Sequence, residues 1–445
     1  MRLLLLLALG GLMDAARSFA PQAGIGSGAA GTALACGYIL LTAFLLGSLF
    51  KDVRLPRLTG YIAAGLIAGP QVLGLVPTPM VANLRIFNGI ATALIALTAG
   101  VELDLRAMRP LFRSISWLIG IAIFGTTLLL TLAVVLSRGL LPFMSGLSLA
   151  QSLAVAATLA VTMVAQSPAV VVALRAEMEA DGPLTRTVLG VVVMSDLVVI
   201  ILFALVSSIT KTFFGSGADA LQTAKMLSWE ILGSMVAGLL VGVVAGALLR
   251  YLKGGTALFV VTLAFVIAEV GQRIDFDPLI VALMTGLYVR NLTGWGDLLY
   301  KETEEASLPV YVIFFAVTGA TIHLHELKLV ALPAVIFVAV RASGFLTGSR
   351  IAGRLAKAPD EVCRYAGFGL TPQAGLALAL ALLFVKTFPN FGAGASALVL
   401  GVVAINEMLA PVAYRLALVR SGEAGKLQEI GEVAGGGVPV SAGGH

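Results

Sequence analysis

The sequence predicts an all-α polytopic membrane protein with about thirteen transmembrane helices. Apolar residues make up 59% of the 445-residue chain, charged residues only 12%, and the mean hydropathy is +1.00. A soluble domain carries about 25% charged residues, so the composition excludes an ordinary soluble protein. The 50 glycines suit the close helix packing and broken helices of membrane proteins. The net charge of +5 includes no basic run long enough to indicate nucleic-acid binding.

Thirteen apolar runs can be placed after residue 30, the ninth of them short. Nineteen of the 29 lysines and arginines lie in the loops after the odd-numbered runs and in the C-terminal tail, against seven in the opposite loops. The positive-inside rule therefore predicts an outside N-terminus and a cytoplasmic C-terminus. The predicted spans are 31–50, 58–77, 86–103, 114–137, 148–174, 187–210, 228–249, 256–272, 278–289, 308–322, 329–349, 365–385 and 392–414.

Both ends of the chain differ from these spans. Arg2 precedes an apolar stretch too short to cross a bilayer comfortably, and the small residues Ser18 and Ala20 suit cleavage. We expect residues 1–20 to be a signal peptide, the alternative being a retained interfacial helix. Residues 421–445 are rich in glycine and alanine, which predicts a flexible cytoplasmic tail.

The chain resembles itself across its two halves. A proline with polar neighbours interrupts the fifth span at Gln166-Ser167-Pro168 and the twelfth at Thr371-Pro372-Gln373. Seven spans separate the two, so the copies would run in opposite directions, as an inverted repeat of six spans each joined by the seventh. Proline removes a backbone donor, and unwound backbone is tolerated in lipid only where protein covers it or it lines a cavity. We therefore predict two crossed, unwound helices at mid-membrane, with simple proline kinks as the alternative.

Asp196 lies in the middle of the sixth span, where a carboxylate costs about 2.5–3.5 kcal/mol on insertion scales. Such a residue usually lines an ion pathway or pairs with a cation, so we predict an ion and proton site, the alternative being a carboxylate neutralised by a structural partner. A monovalent metal cation prefers oxygen ligands. Besides Asp196, the candidate ligands are Ser195, Thr162, Gln166 and Ser167.

Two further ionisable residues lie deep in the membrane. Arg341 is central in the eleventh span and Glu407 lies in the thirteenth. We predict that they form a structural or gating ion pair, with a pairing of Arg341 to Asp196 in the ion-free state as the competing possibility. With all three charged, the cluster would carry −1, which one cation or one proton neutralises. No cofactor motif is present, and we expect no cofactor.

These residues and their order resemble the monovalent cation:proton antiporters, in particular the membrane domain of the Kef-type and bacterial sodium–proton branch. The resemblance covers about residues 30–420 and includes the buried Asp196 and Arg341. Its other motifs are Leu55-Pro-Arg-Leu-Thr-Gly-Tyr-Ile-Ala-Ala-Gly-Leu-Ile-Ala-Gly-Pro, Thr98-Ala-Gly-Val-Glu-Leu-Asp, Gln166-Ser-Pro-Ala-Val-Val, Phe314-Phe-Ala-Val-Thr-Gly and Thr371-Pro-Gln-Ala-Gly.

The resemblance implies an elevator-type homodimer in a bacterial inner membrane that contributes to pH homeostasis. Its dimerisation part would be about 31–103 and 256–322, its core about 114–210 and 329–418, and its linker helix about 228–249. Asp196 would carry the cation or the proton. Ser195 stands where many relatives have Asp, Asn or Gln, and one carboxylate instead of two implies an electroneutral one-for-one exchange of Na⁺ or K⁺ for H⁺. The sequence contains no nucleotide-binding tail of the kind typical of Kef-type systems, so we do not expect gating by glutathione or nucleotide.

Two other classes of transporter compete with this interpretation. A gated cation channel would need a continuous polar pore, whereas the chain offers one central polar cluster. A proton-coupled organic-anion transporter could use Arg341 to bind a carboxylate, with Asp196 as the proton carrier. An enzyme is not expected, because the spans contain no Ser/His, HExxH or paired-aspartate arrangement.

Overall fold

The computed structural model is all-helical over the part of the chain that it describes: residues 2–19, 29–214, 217–251, 256–274, 276–322, 324–373, 376–377, 380–381, 384, 388 and 392–426. We number the principal helices in chain order. They are α1 (Arg2–Phe19), α2 (Ala29–Asp52), α3 (Arg57–Ala68), α4 (Thr78–Glu102), α5 (112–136, with a π-helical turn at Leu118–Ile123), α6 (Leu149–Val164), α7 (Pro168–Met178), α8 (Pro183–Thr212), α9 (Gly217–Leu249), α10 (Thr256–Arg273), α11 (Pro278–Leu292), α12 (Gly296–Ala320), α13 (Leu324–Ala356), α14 (Asp360–Gly369) and α15 (Gly392–Ser421). Short helical turns occur at Leu105–Met108, Arg109–Leu111, Arg138–Leu140 and Pro142–Met144.

The helices bear out the predicted all-α membrane class. Eight described helical stretches are long and apolar enough to cross a membrane, and each coincides with a predicted span. Four shorter apolar helices, α3, α10, α11 and part of α12, fall on four more predicted spans. Part of the twelfth span, 365–385, lies outside the described residues, so the total of thirteen and the inverted repeat stay predictions.

The chain ends are only partly described. Residues 2–19 form the helix α1, whose Met13 is buried, while most of the segment that would contain a cleavage site lies outside the described residues. Glu423 and Gly425 are hydrogen-bonded to the rest of the protein, so the predicted flexible tail begins later than residue 421. The remainder of that tail, 427–445, lies outside the described residues.

One group of helices packs around α4, namely α2, α10, α11 and α12, and α3 joins this group by packing against α2 and α12. Glycines let the backbones of α4 and α11 touch. A Cβ atom on Gly100 would lie 2.2 Å from the carbonyl oxygen of Leu283, and one on Gly286 would lie 2.4 Å from that of Leu97. Small residues thus replace side-chain packing by direct backbone contact, the usual way helices associate tightly in lipid.

A second group of helices, α5 to α8 with α13 to α15, packs around α13 and α15. Two of its helical runs are interrupted. Residues 165–167 separate α6 from α7, and residues 371–373 follow the end of α14 without regular structure. The interruptions occur at Pro168 and Pro372, since proline lacks the backbone N–H that would continue the helix. Both therefore release carbonyl groups inside the protein, which must find donors there.

Candidate functional site

The first interruption lies against the middle of α8. Gln166 is 1% exposed, and its Oε1 accepts a hydrogen bond of 2.8 Å from the Oγ of Ser195. The Oγ of Ser167 accepts from the backbone N–H of Val170 at 3.3 Å and so caps α7, which begins at Pro168. The 165–167 segment is thereby fixed at both ends, to α8 on one side and to its own following helix on the other.

Asp196 follows Ser195 and is 3% exposed. Neither of its carboxylate oxygens has a hydrogen-bond partner among the described residues. The Nε2 of Gln166 is equally buried and also lacks a partner there. An unpaired carboxylate away from water costs several kcal/mol, so a bound proton, water molecule or cation would stabilise Asp196 here.

A cavity connects these groups with the first helix group. Its polar lining consists of Gln166, Ser167, Asp196 and Thr92. The wall opposite Asp196 comes from α4, α11 and α12 and, apart from Thr92 on α4, is apolar, with Ile95, Leu283 and Phe314 among its members. The volume of the cavity is about 40 Å³, and a single water molecule needs only about 10–15 Å³. Water or a small cation therefore fits beside the Asp196 carboxylate.

Arg341 of α13 has no exposed surface and joins the two interruptions. Its Nε donates to the carbonyl of Met163 at 2.7 Å and its Nη2 to that of Ala165 at 2.9 Å. On the other side, Nη1 donates to the carbonyl of Thr371 and Nη2 to that of Leu370 at 3.4 Å. The guanidinium also lies 4.7 Å from the ring centre of Phe345. Its fixed fork of donors thus satisfies carbonyls from both broken helices.

This geometry corrects one prediction. Arg341 does not pair with Glu407, because its donors are directed at backbone carbonyls, and the Oε1 of Glu407 has no hydrogen-bond partner among the described residues. Arg341 does not pair with Asp196 either, whose two oxygens are also unbonded in that part of the chain. The expected charge–charge contact is replaced by carbonyl dipoles, which become available only where a helix is broken.

Side-chain amides connect the second interruption to the first. Gln373 has no exposed surface, and its Nε2 donates to the carbonyl of Met163 at 2.7 Å. Its Oε1 accepts from Nδ2 of Asn406 on α15 at 2.7 Å. The Oγ1 of Thr371 donates back to the carbonyl of Phe368. Pro372 lies between Thr371 and Gln373 in the non-helical segment 371–373. Asn406 was not a candidate in the sequence; its position in an apolar span beside Glu407 is the signal that could have identified it.

The structure does not bring all the predicted ligands together. Gln166, Ser167 and Asp196 line the cavity, and Ser195 reaches it through Gln166. Thr162 is buried one turn before the interruption, where its Oγ1 donates to the carbonyl of Thr158 at 3.0 Å, and it does not line the cavity. Thr92 on α4 does line it, although nothing in the sequence distinguishes this isolated threonine from others in apolar spans.

A charged network lies between the same helix groups, near the ends of α4 and α7. Arg175 is 2.9 Å from Glu102 and 3.8 Å from Asp181. Asp181 also accepts two hydrogen bonds from Arg186, at 3.0 and 2.5 Å. Burial alone would raise the pKa of Asp181, but the hydrogen bonds and charges of Arg186 and Arg175 outweigh it and hold that pKa below its usual range.

Apolar helices, two interrupted helices tied by a buried arginine, and an unpaired carboxylate on a cavity together define a membrane transporter of the secondary type. A family model described as "Sodium/hydrogen exchanger, transmembrane" matches residues 39–418. The chain therefore belongs to the sodium/hydrogen exchanger family, which confirms the resemblance to cation:proton antiporters. That family consists of secondary transporters and not of enzymes.

Individual relatives are more distant. The chain is 24% identical over 287 residues to "Iron transporter MagA" of Paramagnetospirillum magneticum, covering 63% of this chain and 62% of that protein. It is 23% identical over 325 residues to "Probable Na(+)/H(+) antiporter 3" of Methanocaldococcus jannaschii, covering 69% of this chain and 78% of that protein. The chain thus spans less than two thirds of the MagA length.

Solved structures share the fold. The sodium proton antiporter MjNhaP1 from Methanocaldococcus jannaschii at pH 8 superposes with a TM-score of 0.63 at 16% identity, over 89% of this chain and 97% of that one. An electron-microscopy structure of MjNhaP1 gives 0.66 at 17% identity, over 91% and 99%. This chain is therefore a multi-pass membrane protein with the fold of that antiporter.

Proposed function

We propose that the protein exchanges a monovalent cation, Na⁺ or K⁺, for H⁺ across the membrane, with Asp196 as the shared binding site. The observation that supports this best is the Asp196 carboxylate itself. It is buried, it lines a cavity large enough for water or a small ion, and no described residue hydrogen-bonds to it. A carboxylate placed in this way is stable only when something neutralises it, and a proton and a cation can do so in turn.

Competition for one carboxylate supports a one-for-one stoichiometry. The fixed positive charge of Arg341 is held by carbonyl dipoles, so it does not neutralise Asp196. Each loaded state, with H⁺ or with the metal cation, would then carry the same net charge. Ser195, the residue beside Asp196, adds no second carboxylate. The exchange is electroneutral on this proposal.

The cation ligands on this proposal are oxygens around the cavity. Asp196 supplies a carboxylate, and Ser167 supplies a hydroxyl that lines the same space. The Nε2 of Gln166 has no hydrogen-bond partner among the described residues, while its oxygen is held by Ser195. Rotation of the Gln166 side-chain amide would turn its Oε1 toward the cavity. The hydrogen bond with Ser195 would then decide whether Oε1 or Nε2 of Gln166 faces the cation. Thr162, bonded within its own helix, stays a more remote candidate.

Movement of the second helix group past the first would expose Asp196 to the two sides alternately. The division we propose has a dimerisation part at about 31–103 and 256–322, a core at about 114–210 and 329–418, and a linker at about 228–249. The cavity supports this division, because Gln166, Ser167 and Asp196 on one side come from the 165–167 interruption and α8, while the mainly apolar facing wall comes from α4, α11 and α12. Arg341 and Gln373 would keep both broken helices moving as one body.

The membrane orientation follows from the charge bias of the loops, with the N-terminus outside and the C-terminus in the cytoplasm of a bacterial cell. A homodimer in that membrane would hold the first helix group still while the core moves. The resemblance to dimeric elevator antiporters motivates both assignments, and both belong to the proposal.

The organic-anion alternative is less well supported. Arg341 was the residue expected to bind a substrate carboxylate, yet its donors are directed at carbonyls and it does not line the cavity. A channel is disfavoured by the apolar wall that faces Asp196.

The proposal is tested with purified protein in proteoliposomes under an imposed pH gradient. We expect Na⁺ or K⁺ to dissipate the gradient and Asp196→Asn to abolish the response while the protein stays folded. Asp360→Asn, a change at an exposed carboxylate, is the matched control and should exchange normally. Cation-driven proton movement that survives in Asp196→Asn would refute the assignment. A membrane potential generated during exchange would refute electroneutrality alone.

A further inference from the structure

The helix that bears Asp196 is capped by a residue from the other end of the chain. Glu423 accepts hydrogen bonds from the backbone N–H groups of Leu184 and Thr185, both at 2.7 Å, and from the Oγ1 of Thr185 at 2.6 Å. The N-cap position of α8 is Gly182, which has no side chain to offer. A carboxylate at this place satisfies donors left unpaired in the first turn and interacts favourably with the helix dipole.

Backbone hydrogen bonds hold the capping segment in place. The N–H of Asp181 donates to the carbonyl of Glu423 at 3.2 Å, and the N–H of Gly425 donates to that of Met178 at 2.9 Å. Glu423 is only 1% exposed. Residues 422–425 therefore lie along the loop between α7 and α8, although they are about 240 positions away in the sequence.

The loop is shaped to receive this carboxylate. Gly182 has a φ of +156°, within the range that favours glycine, and a Cβ there would lie 2.4 Å from Cδ of Glu423. The space beside Gly182 is thus filled by the Glu423 side chain, and any larger residue at 182 would displace it.

The helices α7 and α8 form a hairpin with this clamp at one end and the ion site at the other. The 11 residues of α7 span about 16 Å, at 1.5 Å per residue. At the far end of the hairpin, Gln166 and Ser195 are hydrogen-bonded across it, next to Asp196. A one-residue slip of α8 against α7 would move Asp196 by about 1.5 Å and rotate it by about 100°. The register of α8 against α7 near Asp196 therefore depends on how the loop that joins the two helices is held by Glu423.

We propose that Glu423 is a positioning residue for ion exchange, which fixes the register of α8 against α7 and thereby the place of Asp196 beside Gln166. This inference rests on the proposed role of Asp196. The C-terminal segment at 422–425 is then a working part of the core and not the start of a passive tail. It acts through the Asp196 helix and touches neither the cation nor the proton.

The test measures cation-driven proton exchange in proteoliposomes as a function of cation concentration and pH. We expect Glu423→Ala to raise the apparent KM for the cation roughly tenfold, because small displacements of a binding group cost large factors. Glu423→Gln keeps the shape and one strong acceptor, so it should raise KM roughly threefold. Lys426→Ala alters an exposed residue of the same segment and should leave KM unchanged.

Gly182→Ala perturbs the clamp from its other side. It should raise KM in the wild-type background and have a smaller effect when combined with Glu423→Ala, because the contact with the Glu423 side chain is then gone. If Glu423→Ala does not yield folded protein, Glu423→Gln and Gly182→Ala carry the test. A lower melting temperature with an unchanged KM in these variants would overturn the positioning role.

The two proposals can fail separately. Exchange that persists in Asp196→Asn would refute the assignment of the ion site, whatever Glu423 does. Loss of exchange in Asp196→Asn, together with a wild-type KM in the Glu423 variants, would refute only the positioning role.

Discussion

Replacement of Arg341 by lysine should loosen the contact between the two broken helices. The guanidinium reaches four carbonyls, of Met163, Ala165, Leu370 and Thr371, from a position with no exposed surface. Lysine keeps the positive charge but has its three donors on a single nitrogen. It can approach two of these carbonyls at once and leaves about two without their donor.

The cost follows from those two contacts. A hydrogen bond to a charged donor contributes about 1.5–3 kcal/mol, so Arg341→Lys should lower the free energy of unfolding by about 3–6 kcal/mol. The total for a folded protein is about 5–15 kcal/mol, so such a loss is severe. The carbonyl of Met163 is less affected, because it also accepts from Gln373.

The assay is thermal unfolding in detergent with a thiol-reactive dye, since Cys36 and Cys363 are free and only partly buried. Arg341→Lys should melt well below the wild-type protein. Arg350→Lys, an exposed arginine on the same helix α13, should melt like the wild-type protein. Equal melting temperatures for Arg341→Lys and Arg350→Lys would refute the view that Arg341 holds the interruptions together.

Three further predictions concern one hydrogen bond of the ion site and the charged network near the ends of α4 and α7. Ser195→Ala removes the hydrogen bond to Gln166, worth about 0.5–1.5 kcal/mol, so cation titrations of exchange should show KM rising roughly two- to tenfold. Reversing either charge of the Glu102–Arg175 pair should reduce the yield of folded protein, and the double swap should recover part of it, measured as monodisperse protein. The pKa of Asp181 is lower in the folded protein than in the unfolded chain, where it is about 3.9. The ionised carboxylate therefore stabilises the fold above that unfolded pKa, and this stabilisation is lost as the pH falls through the folded pKa. Asp181→Asn should make the free energy of unfolding depend less on pH in the acid range.

Two of these predictions have matched controls. Ser207→Ala removes a buried hydroxyl of the same helix that has no hydrogen-bond partner among the described residues, so KM should not change. Swapping the exposed Asp360–Arg364 pair should not affect the yield of folded protein. An unaltered acid limb in Asp181→Asn, an unchanged KM in Ser195→Ala, or a charge swap that recovers nothing would contradict the corresponding contact.

The residues of the ion site differ in how far the sequence could identify them. Asp196 could be found from sequence because a single charge in a long apolar run is costly wherever the helix lies. Ser167 and Gln166 could be found because a proline marks where a membrane helix must break. Thr92 could not, since an isolated threonine on an apolar helix is unremarkable until the opposite wall is known.

The sequence by itself determined the class of protein, the approximate spans and the two interruptions, because hydropathy and proline act through local chain properties. Tertiary structure decided which groups meet. Arg341 binds carbonyls and not Glu407, since the rotation and depth of each helix decide which dipoles face it. Thr162 turns to its own helix, and Glu423 caps a helix about 240 positions away. Such contacts depend on how helices pack in three dimensions, which local patterns along the chain do not contain.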